Sequence, residues 1–257
     1  MKKLERKSFI LSAFNEIMII QIYMMELYLP LLIVESIKFK YYMIGVKKIE
    51  VAILGGSFNP PTIGHMSICS EILNFLPNIK EFWFIPCGDR NDKKLSATAA
   101  QRYQMTKLAV ASTYPENSFI KVSDIEFNNG KLIPTAYLLQ RLGDQYKDRK
   151  FHFIIGADLL NQLDKWDEPE YLYNEANIIL MSRDGFEIDF SGKSYKIPKN
   201  HVYVKSYALG DRSSTDARKK LSTIKRDSAF DLCKLMSLIP KCVLEFVISE
   251  KLYLETN

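Results

Sequence analysis

The chain has 257 residues with a formal net charge of +5; 47% of its residues are hydrophobic and 25% charged, proportions that exclude a disordered, collagen-like or low-complexity protein. The length suits one large α/β domain or two small ones. The modest positive charge favours anionic small molecules and gives no case for a nucleic-acid protein, which shows a dense basic face.

The first forty-odd residues stand apart. From Ile17 to Ile37 runs an apolar stretch long enough to cross a bilayer, yet it carries Glu26, Glu35 and a mid-segment Pro30. Lys2, Lys3, Arg6 and Lys7 precede it as in a signal sequence, without a clear small-residue cleavage site. Three readings stay open: an extra element packed on the domain, a membrane anchor, which the buried charges disfavour, or an upstream extension outside the working protein, with Met43 as an alternative start. The expected division is 1–45 as an N-terminal extension and 46–257 as one domain.

From there strand and helix alternate. Val51 to Gly56 is a short apolar run ending in glycines, as in a buried parallel strand. Gly64 to Leu76 has helical spacing and is stopped by Pro77. Glu81 to Cys87 reads as a second strand, followed by a polar loop. Ala97 to Ala111 reads as a helix, Phe119 to Phe127 as a third strand, and Pro134 to Leu142 as a helix opened by proline. Phe151 to Asp158, Asn177 to Arg183 and His201 to Tyr207 complete the strands, with a polar loop over Asp184 to Asn200. The chain from Ser213 onward reads as helical. This alternation predicts a parallel sheet with helices on both faces, and a ligand at the carboxyl ends of its strands.

Three segments carry the chemistry. GGSFNPPTIGHM, from Gly55 to Met66, joins the first strand to the first helix, where glycines admit close backbone approach and a helix N-terminus favours an anion. His65 lies one turn into that helix, and the segment is neither a dinucleotide fingerprint nor a Walker loop. GDRSSTDARKK, from Gly210 to Lys220, offers Ser213 with Asp216 as a capping box. The hydroxyls of Ser213, Ser214 and Thr215 can meet phosphate, and Arg218 lies one turn beyond Ser214 on the same face. IIGADLLNQLDKW, from Ile154 to Trp166, puts Asp158 at a strand end, where a carboxylate can accept from ribose hydroxyls, and Trp166 where it can stack on a flat cationic ring. Each segment alone also fits a plain turn, helix cap or core residue. Cys69, Cys87, Cys233 and Cys242 form no CxxC pair and there are three histidines, which argues against zinc; free thiols in a reducing cytoplasm, with nuclear access open, fit best.

Together the segments resemble the nicotinate/nicotinamide mononucleotide adenylyltransferase family. The loop resembles its G-x-F-x-P-x-[HT]-x-G-H pattern, SSTDAR its S-S-T-x-x-R element, and IIGADLL with the following Trp its third landmark. FIPCGDRNDKKLSATAAQRYQM is similar to the family's substrate loop and helix. VSDIEF and Pro134-Thr135 resemble the strand and helix start that face the pyridine nucleotide. ANIILMSRDGF resembles the strand ending in Arg, and LIPKCVLEFVISEKLY the closing helix of the bacterial branch. The resemblance spans Val46 to Tyr253. Many bacterial members carry His where this chain has Thr62, so the main electrostatic role falls to His65 and Thr62 is expected to orient phosphate.

The resemblance implies a Rossmann-like nucleotidyltransferase fold and transfer of an adenylyl group from ATP to a pyridine mononucleotide, with Mg²⁺ carried on the ATP phosphates. The implied ATP site comprises Gly56, Ser57, Phe58, Gly64, His65, Asp158, Arg183, Ser213, Ser214, Thr215 and Arg218. The implied mononucleotide site comprises Ser57, Lys93, Lys94, Thr135, Asp158 and Trp166; His65, Arg218 and Thr62 are the implied catalytic groups. The bacterial character of the carboxyl end points to the acid, nicotinate mononucleotide. Two alternatives stay open: a sibling transferase with another phosphorylated acceptor, against which Trp166 argues, and a silent nucleotide-binding module, against which intact His65, Arg218 and Asp158 argue. Oligomeric state is not legible.

Overall fold

The computed structural model describes residues 47–90, 95–115, 118–128, 130–182, 188–192, 194–206, 213–223 and 229–253. The N-terminal stretch with its three readings, and Met43, lie outside them. Six strands form one sheet: β1 (Ile49–Gly56), β2 (Ile79–Pro86), β3 (Ile120–Val122), β4 (Arg149–Gly156), β5 (Asn177–Met181) and β6 (Asn200–Val204), in the order β3-β2-β1-β4-β5-β6. All five pairings are parallel. Strand order reverses between β1 and β4, which opens a crevice at their carboxyl ends.

The period of two in β1 sorts the core into two layers. Ala52 and Leu54 face one side, with Phe82 and Phe84 of β2. There they are covered by Met66 and Ile72 of α1 (Ile63–Phe75), Met105 and Ala109 of α2 (Ala99–Thr113), Leu221 of α5 (Ser214–Thr223), Leu235 of α6 (Ala229–Met236) and Val243 of α7 (Lys241–Ser249). Val51 and Ile53 face the other side, against Leu138 and Leu142 of α3 (Thr135–Gln145), Leu160 of a 3₁₀ helix (Ala157–Lys165) and Leu172 of α4 (Pro169–Asn174). This is the doubly covered parallel sheet that the alternation of strand and helix predicts.

Two elements differ from the sequence reading. The third strand is three residues long rather than running to Phe127. Ser123 makes the last link to β2, through its N–H to the Phe84 carbonyl at 2.9 Å; its Oγ then accepts the Ile125 N–H at 3.4 Å, and the chain turns away. The fourth strand ends at Gly156, and Asp158 sits in the first turn of the 3₁₀ helix. A Cβ at Gly156 would stand 2.5 Å from Asp158 Oδ1, so a side chain there would displace the carboxylate. Among the described residues no helix is long and apolar enough to cross a membrane.

Candidate active site

The loop leaving β1 is held from several directions. Phe58 adopts φ 44°, an uncommon region for a bulky residue, and its ring is 1% exposed. Such strain costs on the order of 1–3 kcal/mol, and burying the ring returns a similar amount. The Phe58 ring lies 4.9 Å from the His65 ring and 6.0 Å from Phe84, so its side chain seats the imidazole and only its backbone can meet a ligand.

Thr62 is the N-cap of α1 and is wholly buried. Its N–H donates to His65 Nδ1 at 3.0 Å, and its Oγ1 lies 2.8 Å from the same nitrogen while accepting the His65 N–H at 3.4 Å. Because Nδ1 faces a backbone donor, it is the acceptor nitrogen, and the ring proton resides on Nε2. The Thr62 hydroxyl, expected to orient phosphate, is engaged by His65 and so bears on the angle of the imidazole. His65 in turn presents a polarised N–H rather than a charge. The other described histidines lie elsewhere, His152 against Glu50 and His201 against the Pro198 carbonyl.

The second segment folds as its sequence suggests. Ser213 Oγ accepts the Asp216 N–H at 3.1 Å, as an N-cap does, and donates to the Asp216 carboxylate. Ser214 Oγ donates to the Pro60 carbonyl at 2.7 Å. Arg218 Nη1 donates to the Asn59 carbonyl at 2.8 Å and Nη2 to Thr215 Oγ1 at 3.1 Å. The first turn of α5 is thus bonded directly onto the loop that carries His65. The Ser214 hydroxyl proton is engaged in that junction, and the Ser213 hydroxyl proton with Asp216 of the same helix.

Four residues that sequence reasoning left without a role complete the scaffold. Tyr253 Oη donates to Asn59 Oδ1 at 2.7 Å; burial pushes the Tyr253 hydroxyl up, so it stays a donor. Arg102, 0% exposed, gives Nη1 to the carbonyls of Ser57 (3.0 Å) and Cys87 (2.6 Å), Nη2 to that of Gly88 (3.1 Å) and Nε to that of Ala97 (3.3 Å). One guanidinium thereby ties the loops after β1 and β2 together. Glu126 is buried as well and accepts the N–H groups of Gly88 and Ile133. The Arg102 signal was available: Arg102 shares a helical face with Met105, Thr106, Ala109 and Val110, all buried, so a guanidinium sits on an apolar stripe.

Asp158 and Trp166 follow β4 on the opposite side of the crevice, both half-buried; Trp166 packs on the layer of Leu138 and Leu160. Thr135 is the first residue of α3, at the carboxyl edge. Gly56, Ser57 and Gly64 lie in or beside the His65 loop. Lys93, Lys94 and Arg183 lie outside the described residues. Cys69, Cys87, Cys233 and Cys242 are free thiols; burial pushes Cys69 up to about 12 and raises Cys87, so neither is an activated nucleophile. Among the described residues there is no cluster of three side chains able to hold a metal ion.

The cytidylyltransferase-like family profile matches residues 53–220. The "Probable nicotinate-nucleotide adenylyltransferase" of Oceanobacillus iheyensis is 31% identical over 205 residues, covering 79% of this chain and 96% of the relative. That of Bacteroides fragilis is 33% identical over 178 residues, covering 68% and 84%. The fold is similar to Plasmodium falciparum nicotinic acid mononucleotide adenylyltransferase complexed with NaAD, at TM-score 0.68 and 28% identity, covering 80% of this chain and 97% of the other. The same enzyme complexed with APC gives TM-score 0.65 at 27% identity, covering 80% and 98%. The family profile spans more than half of the chain and the relatives match it over most of their length; the chain belongs to the cytidylyltransferase-like family as a nicotinate-nucleotide adenylyltransferase.

Proposed function

We propose that this enzyme joins nicotinate mononucleotide to ATP, forming the acid dinucleotide and pyrophosphate in NAD biosynthesis. The observation that carries this reading is the bonding of Ser214 and Arg218 onto the Pro60 and Asn59 carbonyls of the His65 loop. It gathers the backbone N–H groups of a helix start and a guanidinium around one place, as a polyphosphate needs.

The mononucleotide phosphate attacks the α-phosphorus of ATP. A new P–O bond forms there, the bond to the β-phosphate bridging oxygen breaks, and pyrophosphate leaves with that electron pair. The attacking phosphate is ionised at neutral pH, so no general base is needed, and catalysis rests on alignment and on stabilising charge at the transferred group. His65 Nε2–H and Arg218 bear on the α- and β-phosphates. The first turn of α5, with Ser213, Ser214 and Thr215, holds the rest of the triphosphate, and Gly56, Ser57, the Phe58 backbone and Gly64 supply close approach. Asp158 accepts from ribose and Trp166 stacks on the pyridine. Thr135, Lys93 and Lys94 serve the mononucleotide, and Arg183 serves ATP.

Mg²⁺ enters with ATP. The donors gathered at the loop suit anions rather than a cation, which leaves the metal to phosphate oxygens and water. The four free thiols suit a reducing, cytoplasmic setting. The test is a side-by-side rate measurement with the two mononucleotides. The acid is expected to be the better substrate by about tenfold or more in kcat/KM, a difference of about 1.4 kcal/mol; equal rates, or preference for the amide, would refute the acid assignment.

A further inference from the structure

Glu126 is a buried carboxylate that the reaction just described does not use. It sits where β3 breaks off, 3% exposed, and its Oε2 accepts two backbone donors, the N–H of Gly88 at 3.1 Å and that of Ile133 at 3.1 Å. These donors belong to different segments at the carboxyl edge of the sheet. Gly88 follows β2; Ile133 lies two residues before Thr135, where α3 begins.

The segments touch backbone to backbone. A Cβ at Gly88 would stand 2.3 Å from the Lys131 carbonyl carbon, so only glycine fits. Asp89 pairs with Lys131, and the Leu132 N–H donates to the Asp89 carbonyl at 3.0 Å. The Gly88 carbonyl is in turn held by Arg102 Nη2 at 3.1 Å. Gly88 is thus gripped at its N–H by Glu126 and at its carbonyl by the arginine that also ties down the His65 loop. Such a join transmits position, since neither segment can move without losing buried hydrogen bonds.

We infer that Glu126 is a positioning residue for the mononucleotide: by accepting the Gly88 and Ile133 N–H groups together, its carboxylate sets the gap between the loop after β2 and the helix start that carries Thr135. This rests on the reading above that Thr135 and its surroundings bind the mononucleotide. The ionised carboxylate makes charge-assisted bonds to both N–H groups, and a neutral group at the same place makes weaker ones. Burial pushes the Glu126 carboxyl up to about 7; the Ile133 and Gly88 N–H groups, Arg102 from α2 and Arg90 from the loop after β2 pull the other way. Cys87, from the same loop, is a protonated thiol facing this cluster. The grip therefore weakens as pH falls through neutrality.

The test compares wild type with Glu126→Gln, which keeps the shape and an acceptor oxygen and removes the charge. The ratio of their mononucleotide KM values is measured at about pH 8 and about pH 6, with folding checked by thermal melting at each pH. Taking the ratio cancels the titration of the substrate's own phosphate. With a carboxyl pKa near 7, about nine-tenths of Glu126 is ionised at the higher pH and about one-tenth at the lower. The expected KM ratio is about 5–10 at the higher pH, falling towards 1 at the lower, with kcat and the KM for ATP changed less than about twofold. A ratio that is the same at both pH values, or an ATP KM that moves equally, overturns the positioning role while the substrate assignment stands. A wild-type enzyme that forms no dinucleotide from ATP and nicotinate mononucleotide overturns both.

Discussion

Arg218 donates to the carbonyl of Asn59 at 2.8 Å, a hydrogen bond between residues 159 positions apart. The neighbouring bond from Ser214 to Pro60, at 2.7 Å, fixes the same pair of segments. Arg218 thus reaches the loop backbone through one terminal nitrogen and Thr215 through the other. A lysine carries the charge but cannot span both acceptors. Arg218→Lys is expected to lower kcat/KM for ATP by about 10–100-fold, equivalent to about 1.4–2.7 kcal/mol. Steady-state kinetics check this, and a loss under twofold would mean that the junction does not contribute to transition-state binding.

His65→Ala removes an N–H aimed by its partners on Nδ1. Turnover is expected to fall by about 10²–10³, as when one preorganised donor is lost from a transition state, while the KM for ATP changes less than about threefold. Near-normal turnover would remove the proposed role of His65.

Thr62→Val keeps the buried volume and removes the hydroxyl that caps α1 and meets Nδ1. Expected are a loss of about 0.5–2 kcal/mol in stability, from the cap, and about tenfold lower turnover, with Thr62→Ser close to wild type on both. Denaturant unfolding and kinetics on the two variants check this. Equal behaviour of valine and serine would show that the hydroxyl does not orient the ring.

Trp166→Ala is expected to raise the mononucleotide KM by about tenfold, the order of a stacking interaction, and to leave the KM for ATP nearly unchanged. Trp166→Phe is expected to fall between alanine and wild type. Equal losses for both substrates would count against stacking on the pyridine.

Glu126 also sets a pH dependence of stability. Its carboxyl stands at about 7 in the folded protein, against an ordinary 4.5. Between these values the folded chain holds a proton that the unfolded chain has released, so stability is fully present below the lower value and declines as pH rises through the upper one. The full decline is of the order of 3 kcal/mol. Glu126→Gln has no carboxyl to ionise, so urea unfolding at about pH 5 and about pH 8 is expected to show its stability gaining on wild type as pH rises. A constant difference would contradict this.

Much of the fold was legible because the apolar runs over Val51–Gly56 and Phe151–Gly156 are those of strands buried on both faces, and prolines and caps mark the helix ends. The break of β3 after Val122 was not: VSDIEF alternates like a strand, and the competing bonds of Ser123 depend on where β2 lies. His65, Ser214, Arg218, Asp158 and Trp166 were singled out by motif spacing, and the structure bonds Ser214 and Arg218 onto the loop that carries His65. The bonds between Thr62 and His65 were not legible, because spacing shows a hydroxyl beside a histidine but not which group it caps. Asn59 and Tyr253 act through partners 159 and 194 positions away, and Glu126 joins nearby Ile133 to Gly88, 38 positions away, pairings that no local pattern encodes. Arg102 was readable in principle, as a charge on a buried helical face.

The most direct measurement is pyrophosphate release by the purified full chain from Mg²⁺ and ATP, with nicotinate mononucleotide compared against phosphopantetheine and glycerol phosphate as acceptors. Release that depends on the mononucleotide, with the acid dinucleotide formed one for one and the other acceptors inert, is the expected result. Release with another acceptor, or none with the mononucleotide, would contradict the assignment of this crevice to a pyridine nucleotide.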